Sequence, residues 1–123
     1  MMGQFVGNCH GNERAVSDLA ASGVVVASID FRMGGQNPYP SSLADINYAM
    51  RWLKVHVPDF KADPATVGGL GVSSGGHLIL LSAMRPFDPR YIALPFVGAA
   101  GVNGTLAYAI SLWGASIPMA ATC

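Results

Sequence analysis

The feature that most constrains the fold is the heptapeptide GVSSGGH at residues 71–77, which lies between an apolar run and a helix-forming run. Residues 66–72 are typical of a short buried strand, and residues 74–84 of a helix that is apolar nearly all round. A side chain at Gly71 or Gly75 would crowd a sharp turn between these two elements. The sequence therefore predicts a strand, a tight turn and a helix, in that order.

The pattern G-x-S-x-G in this setting is that of a nucleophile elbow, in which a serine hydroxyl stands at the tip of a strained strand-to-helix turn. On this interpretation Ser73 is the nucleophile and the backbone N–H of Ser74 is an oxyanion donor. The glycines of the turn are Gly71, Gly75 and Gly76. The bare motif also arises by chance in a chain with 15 glycines. The alternative is that the two serines only cap a helix, since serine is a favoured N-cap residue.

Composition and charge narrow the class of protein. The 123 residues include 7 basic and 7 acidic side chains, so the formal net charge is zero. That balance gives no electrostatic case for binding nucleic acid or an anionic membrane. The chain is 51% hydrophobic and only 11% charged, which is typical of a parallel sheet that is buried on both faces.

The termini and cysteines carry little chemistry. Cys9 and Cys123 lie far apart with neither a metal-ligand spacing nor a disulfide framework, so we expect free thiols and no metal site. The N-terminus lacks the features of a signal peptide, and we expect a cytoplasmic location. Residues 91–123 contain no charged side chain. Because proline and glycine interrupt residues 104–121, we predict a buried strand with flanking loops there and no membrane span.

Hydrophobic periodicity predicts helices and strands that alternate along the chain. The predicted helices cover residues 12 or 13–22, 42–57 and 74–84, and the predicted strands cover residues 24–29, 66–72 and 109–113. Residues 1–12 and 30–40 are predicted to be loops. Such alternation favours an α/β protein with a parallel sheet, in which the strand before the turn lies between the other two.

The second predicted helix has one apolar face. Apolar residues recur there at three- and four-residue steps, and they are Leu43, Ile46, Met50, Leu53 and Val57. We expect this face to pack on the core. Ser42 and Asp45 form the pattern of a capping box at the helix start, and Pro58 is expected to stop the helix.

Four motifs in this order resemble the hormone-sensitive-lipase-like branch of the α/β-hydrolases, which includes acetyl esterases. They are Asp30-Phe31-Arg32, Pro38-Tyr39-Pro40, Arg51-Trp52-Leu53 and the turn at Ser73. The resemblance implies part of an α/β-hydrolase fold, a three-layer sandwich with parallel strands. It also implies a serine carboxylesterase that acts through an acyl-enzyme on small, short-acyl esters, without a cofactor.

The resemblance covers only the central part of a family domain. The family's H-G-G oxyanion loop would fall before Met1, and its catalytic acid and histidine beyond Cys123. Residues 74–123 contain one aspartate, Asp88, and one histidine, His77. We therefore expect residues 1–123 to form a single incomplete domain that is inactive alone. The alternatives are a non-catalytic pseudoenzyme or interaction module of the same fold, or a serine hydrolase that cleaves amides or peptides.

The histidines are weak candidates for the catalytic base. His77 follows Ser73 by four residues on the same predicted helix, so we expect it to pack or to hydrogen bond under the loops. His56 lies near a helix end, where we expect it to be solvated. His10-Gly11 superficially resembles the start of an oxyanion loop but lacks the second glycine.

Three further residues are expected to have structural roles. Asp30 and Arg32 at the end of a predicted strand are expected to form an ion pair that fixes the following loop. Trp52 is expected to lie in the core rather than to form a substrate platform, because its helix is predicted to pack on the sheet.

Overall fold

One parallel sheet and three α-helices make up the part of the chain that the structure describes. The computed structural model describes residues 2–5, 13–29, 31–32, 39–72, 74–98 and 101–112. The strands are β1 (Met2–Phe5), β2 (Val26–Ile29), β3 (Gly68–Val72) and β4 (Ala109–Leu112). The helices are α1 (Glu13–Ala21), α2 (Ser41–His56) and α3 (Ser74–Met84). The fold class is α/β, as predicted.

The sheet has the strand order β2-β1-β3-β4, and all neighbouring strands are parallel. The prediction that residues 1–12 form a loop is wrong at Met2–Phe5, because these residues form strand β1. Strand β1 lies between β2 and β3. The neighbours of β3 are therefore β1 and β4, rather than β2 and β4. The segment MGQF has no β-branched residue, so its strand is specified by pairing on both sides and not by local propensity.

Among the described residues, helix α2 provides the largest share of the core. Its predicted apolar face is confirmed, because the five residues that carry that face are at most 4% exposed: Leu43, Ile46, Met50, Leu53 and Val57. Val67 before β3 and Ile79 of α3 join the same apolar cluster. Helix α3 contacts β3, β4 and α2, whereas α1 contacts β2.

The predicted capping box at the start of α2 is wrong. Pro40 occupies the N-cap position and no side chain caps the helix. The Asp45 carboxylate instead accepts hydrogen bonds from Arg32, and the Ser42 hydroxyl donates to the Arg32 carbonyl. A guanidinium is a stronger partner for a carboxylate than a backbone amide is, so the ion pair replaces the cap.

The chain leaves α2 through two 3₁₀ turns, Val57–Phe60 and Pro64–Thr66. Pro58 lies in the first turn, and Lys61 closes it with a left-handed φ of 59°. Asp63 begins the second turn by accepting a hydrogen bond from the Ala65 backbone N–H at 2.9 Å. These turns return the chain from α2 to the start of β3.

In the uncharged stretch that begins at Tyr91, the described residues before Ala109 form no helix or strand, and strand β4 follows as far as Leu112. Within the described ranges, no helix combines the length and the apolar character needed to cross a membrane. Residues 113–123, which include Cys123, lie outside the described residues, as do Cys9, His10 and Asp30.

We predict that Ile46→Ala lowers the free energy of unfolding by about 2–5 kcal/mol, because the fully buried side chain leaves a cavity under α2. Urea denaturation measures this loss. The control Val97→Ala, at a side chain that is 96% exposed, is expected to change stability by no more than about 0.5 kcal/mol. Equal losses in the two variants would contradict the placement of the core.

Candidate active site

A single residue, Ser73, separates strand β3 from helix α3, since β3 ends at Val72 and α3 begins at Ser74. Ser73 itself and the side chain of Ser74 lie outside the described residues. The strand and the helix on either side of position 73 are those that the motif predicted. The nucleophilic role of Ser73 and the oxyanion role of Ser74 stay predictions.

The junction is tight because β3 runs against the first turn of α3. A Cβ atom on Gly71 would collide with the carbonyl group of Gly75 and would lie 2.6 Å from the backbone nitrogen of Gly76. All three glycines are buried. Only glycine fits at position 71, so the sequence here is dictated by backbone contact.

The first turn of α3 also presents unpaired backbone N–H groups, as every helix start does. The aligned peptide dipoles place partial positive charge at the same end. An anion that develops beside position 73 would therefore face donors and a favourable dipole. That arrangement suits a reaction in which negative charge appears on a carbonyl oxygen.

The end of β2 is fixed by an ion pair between Arg32 and Asp45. The Arg32 Nε and Nη2 atoms donate to the carboxylate at 3.0–3.2 Å, and the Arg32 backbone N–H donates to Oδ2 at 2.9 Å. The bond to Asp45 raises the pKa of Arg32. The ion pair was predicted with Asp30, whereas the described partner of Arg32 is Asp45, one turn into α2.

A groove of about 660 Å³ runs between β2 and the outer flank of α2. Apolar and aromatic side chains dominate its lining, and the Arg32–Asp45 pair lies among them. The prediction that Trp52 lies in the core is wrong, because the side chain is 42% exposed in this groove. Trp52 is displaced by about 100° around the helix from Leu53, which faces the core.

The histidines are partly engaged in packing. The ring of His56 stacks on Trp52 with centroids 3.9 Å apart, and its Nδ1 lies 2.7 Å from the Trp52 carbonyl oxygen. His56 is half-buried, with part of its ring covered by Trp52. His77 is half-buried on α3, the helix that follows Ser73.

Asp88, the one aspartate after Ser73, is held by arginines. It accepts hydrogen bonds from the backbone N–H, Nε and Nη2 of Arg90 at 2.7–3.0 Å, and Arg85 lies 3.8 Å away. The hydrogen bonds from Arg90 lower the pKa of Asp88 to about 2. This carboxylate is an anchor in the loop after α3.

Tyr39 of the P-Y-P motif is tied to the same loop. Its hydroxyl lies 2.6 Å from that of Tyr91, which is 1% exposed, and the Arg90 guanidinium lies over both rings. Burial, with the bond to Tyr39, raises the pKa of Tyr91 to about 12. The sequence analysis missed this cluster, because only Tyr39 belongs to one of its motifs.

Two cations of α2 hold the segment that leads to β4. The buried Arg51 donates through Nη2 to the Leu94 carbonyl at 2.6 Å. Lys54 donates to the Asn103 carbonyl and to the Thr105 hydroxyl, both at 2.9 Å. Burial lowers the pKa of Arg51 and of Lys54. Among the described residues, no group of three or more His, Cys, Asp or Glu side chains is placed to hold a metal ion.

Known esterases resemble this chain in sequence. The sequence model of the BD-FAE family matches residues 2–91. The probable carboxylic ester hydrolase LipM of Mycobacterium tuberculosis is 35% identical in an alignment of 86 positions that covers 66% of this chain and 20% of LipM. Esterase LipC of the same organism is 36% identical over 78 residues, which are 63% of this chain and 19% of LipC. The chain thus spans about a fifth of the length of these curated relatives.

The fold is also similar to that of a solved esterase. The propionate-bound structure of Est2 from the planctomycete Thermogutta terrifontis has a TM-score of 0.73 to this chain at 20% identity. The match covers 92% of this chain and 43% of Est2. The described residues therefore have the fold of part of an α/β-hydrolase.

We predict that Gly71→Ala lowers the free energy of unfolding by about 1–3 kcal/mol or more, because the added methyl group collides with the Gly75 backbone. Urea denaturation measures the change. In the control Gly98→Ala, the new Cβ makes only ordinary contact with Phe96 at 3.4 Å. Its expected change is within about 0.5 kcal/mol, and a tolerated Gly71→Ala would contradict the close approach of β3 to α3.

We also predict a pH dependence that arises from Asp88. Its folded-state pKa of about 2 lies below the ordinary value of 3.8, so the Arg90 contact stabilises the fold at higher pH. This contribution is lost as the pH falls from about 4 towards about 2. Urea denaturation over that range is expected to show a steeper loss in the wild type than in Asp88→Asn. The exposed Asp59→Asn is the control, and equal slopes for wild type and Asp88→Asn would refute the role of Asp88.

Proposed function

We propose an ester-hydrolase function for this chain, which belongs to the BD-FAE family of α/β-hydrolase esterases. The observation that carries the proposal is the one-residue junction at position 73, with Gly71 packed against the Gly75 backbone. A serine in such a junction projects from the end of a strand directly before a helix N-terminus, which is the arrangement of an activated nucleophile. The names of LipM and LipC, both ester hydrolases, support the same reaction.

In this proposal Ser73 attacks the carbonyl carbon of the ester. The tetrahedral oxyanion is stabilised by the backbone N–H of Ser74 and by the positive end of the α3 dipole. The alcohol leaves with a proton, and the acyl group stays on the Ser73 oxygen until water releases the carboxylic acid. Acyl transfer of this kind requires no metal or organic cofactor.

The proposed substrates are small carboxylic esters with short acyl groups. Support comes from the fold neighbour Est2, whose structure contains propionate, a three-carbon carboxylate. The choice between an ester and an amide depends on the leaving group, and matched ester and anilide substrates distinguish the two.

We further propose that residues 1–123 do not complete a catalytic triad. A base must come within about 2.6–3.2 Å of the serine oxygen, directly or through one water. His56 is engaged with Trp52, and Asp88 is engaged with Arg90. The acid and base of the reaction would then come from polypeptide other than these groups, as the greater length of the relatives allows.

We predict that a fluorophosphonate probe labels Ser73 slowly but in preference to the other serines. The physical reason is that the backbone N–H of Ser74 and the positive end of the α3 dipole would still stabilise negative charge on the probe beside Ser73, whereas the missing base keeps the reaction slow. Peptide mapping by mass spectrometry locates the label. The same chain is expected to turn over a short-chain nitrophenyl ester no faster than Ser73→Ala does.

The neighbouring serine provides the matched control. Ser74→Ala keeps the backbone N–H and is expected to retain the label, whereas Ser73→Ala loses it. Labelling that is absent, or spread evenly over the serines, would favour a non-catalytic module of the same fold. A clear Ser73-dependent turnover would refute the incomplete triad, and variants of His10, His56 and His77 would then identify the base.

A further inference from the structure

An Asn-Gly pair lies in the segment that leads to β4. Asn103-Gly104 is the one Asn-Gly dipeptide in the sequence, and it lies in the stretch of residues 91–123 that contains no charged side chain. Asn103 is exposed, whereas Gly104 is buried. Asparagine followed by glycine combines a side-chain carbonyl carbon with a neighbouring peptide nitrogen that no side chain shields. The pair therefore has the two groups needed for a reaction between side chain and main chain.

The side-chain carbonyl of Asn103 is held by three donors. Its Oδ1 accepts hydrogen bonds from Lys54 Nζ at 3.0 Å, from the Thr105 backbone N–H at 3.1 Å and from the Thr105 hydroxyl. The Lys54 ammonium also donates to the main-chain carbonyl of Asn103 at 2.9 Å. One cation thus contacts both carbonyl oxygens of the same residue, and its charge polarises both carbonyl groups.

The same bonds fold the Asn103 side chain back over the next peptide. The bond from the Thr105 N–H to Oδ1 closes a ring that includes the Gly104 nitrogen, as in an Asx-turn. Among the described residues, no acceptor receives the Gly104 N–H. A Cβ atom on Gly104 would lie 2.3 Å from the Nδ2 atom of the buried Asn47, so a larger residue would displace that side chain. The Gly104 nitrogen is therefore held near Cγ of Asn103, and no described group competes for its proton.

The amide nitrogen of Asn103 is the part of the side chain that its surroundings do not use. No acceptor in the described part of the chain receives Nδ2, whereas Oδ1 has three donors. A carboxylate presents only acceptor atoms, so it would keep all three donors and lose no described bond. It would also place a negative charge beside Lys54, where bonds to an ionised acceptor are stronger. The surroundings of position 103 therefore match an aspartate better than the asparagine that the sequence places there.

We propose that Asn103 is a deamidation site, at which the folded chain promotes conversion of the asparagine to aspartate through Lys54 and Thr105. Hydroxide removes the Gly104 amide proton, and the nitrogen attacks Cγ of Asn103. The former amide nitrogen takes up a proton and leaves as ammonia, which completes a cyclic imide. Water then opens the imide, either at Cγ to give an aspartate with an intact main chain or at the main-chain carbonyl carbon to give the β-linked isomer. The net reaction consumes water, releases ammonia and involves no oxidation.

Negative charge develops on Oδ1 in the first step. The tetrahedral adduct at Cγ carries this charge on the oxygen that Lys54 and Thr105 already contact, so these donors act where the charge appears. The product carboxylate would be the only charge in residues 91–123, and the formal net charge of the chain would change from zero to one negative charge. An ion pair would then join α2 to the segment before β4. The proposal does not depend on the chemistry at Ser73.

The test is the rate of deamidation at Asn103 in the full chain at mildly alkaline pH, measured by peptide mapping with mass spectrometry. The folded wild type is expected to react faster there than the same chain unfolded in guanidinium chloride. Lys54→Met removes the ammonium and is expected to slow the reaction about tenfold, because the oxyanion loses a bond to a charged donor. Lys54→Arg keeps a cation and is expected to keep most of the rate. The matched control Lys61→Met removes the same charge in the turn after α2 and should react at the wild-type rate.

A second measurement examines the product. Asn103→Asp supplies the carboxylate from the start and is expected to unfold at a higher urea concentration than the wild type, because the bond to Lys54 becomes an ion pair. Asn103→Ala loses the three bonds to Oδ1 and is expected to unfold at a lower urea concentration. A less stable Asn103→Asp would contradict a site that suits a carboxylate.

Circular dichroism verifies that the Lys54 variants keep their helices. If Lys54→Met does not fold, the comparison of the folded and the unfolded wild type still decides. Two further results would each overturn the proposal. One is a folded wild type that reacts at Asn103 no faster than the unfolded chain, and the other is a folded Lys54→Met that reacts as fast as the wild type or faster. Either would mean that the fold does not promote the reaction.

Discussion

The contact between Gly71 and the backbone of Gly75 is the constraint on which the site depends. It leaves one residue between β3 and α3, and that residue is Ser73. The sequence of β3, GGLGV, is rich in glycine and has weak strand propensity by itself. Its conformation is therefore imposed by pairing with β1 and β4, and by the Tyr108 ring that lies against Gly68. The geometry of the junction between β3 and α3 is therefore fixed by the strands and the ring that contact β3.

Local sequence patterns predict most of the fold in those segments where one pattern dominates. The bounds of α3 and the core face of α2 were predicted correctly, because apolar periodicity is unopposed in both segments. The capping box failed since Asp45 had a stronger partner, Arg32, 13 residues earlier in the chain. Strand β1 was missed because its pairing partners, β2 and β3, are distant in sequence. Local sequence patterns do not reveal pairing partners that are distant in the chain.

Part of the candidate site was also predictable from local sequence patterns. The glycine and serine pattern shows where a strand meets a helix, since that requirement is local. Trp52 was misplaced because a helix of 16 residues has flanks as well as a core face, and the flank beside β2 is an open groove. A cluster of four side chains joins two loops, and no spacing in the sequence indicates that contact. Its members are Tyr39, Asp88, Arg90 and Tyr91.

In a chain with only 11% charged residues, the described charges serve mainly to hold loops. Arg32 binds the start of α2 through Asp45, Arg51 and Lys54 hold the segment before β4, and Asp88 binds Arg90. A carboxylate with a pKa of about 2 stays ionised and bound to its arginine throughout the neutral range. Both of its oxygens accept hydrogen bonds from Arg90, so the described contacts of Asp88 fix the loop after α3.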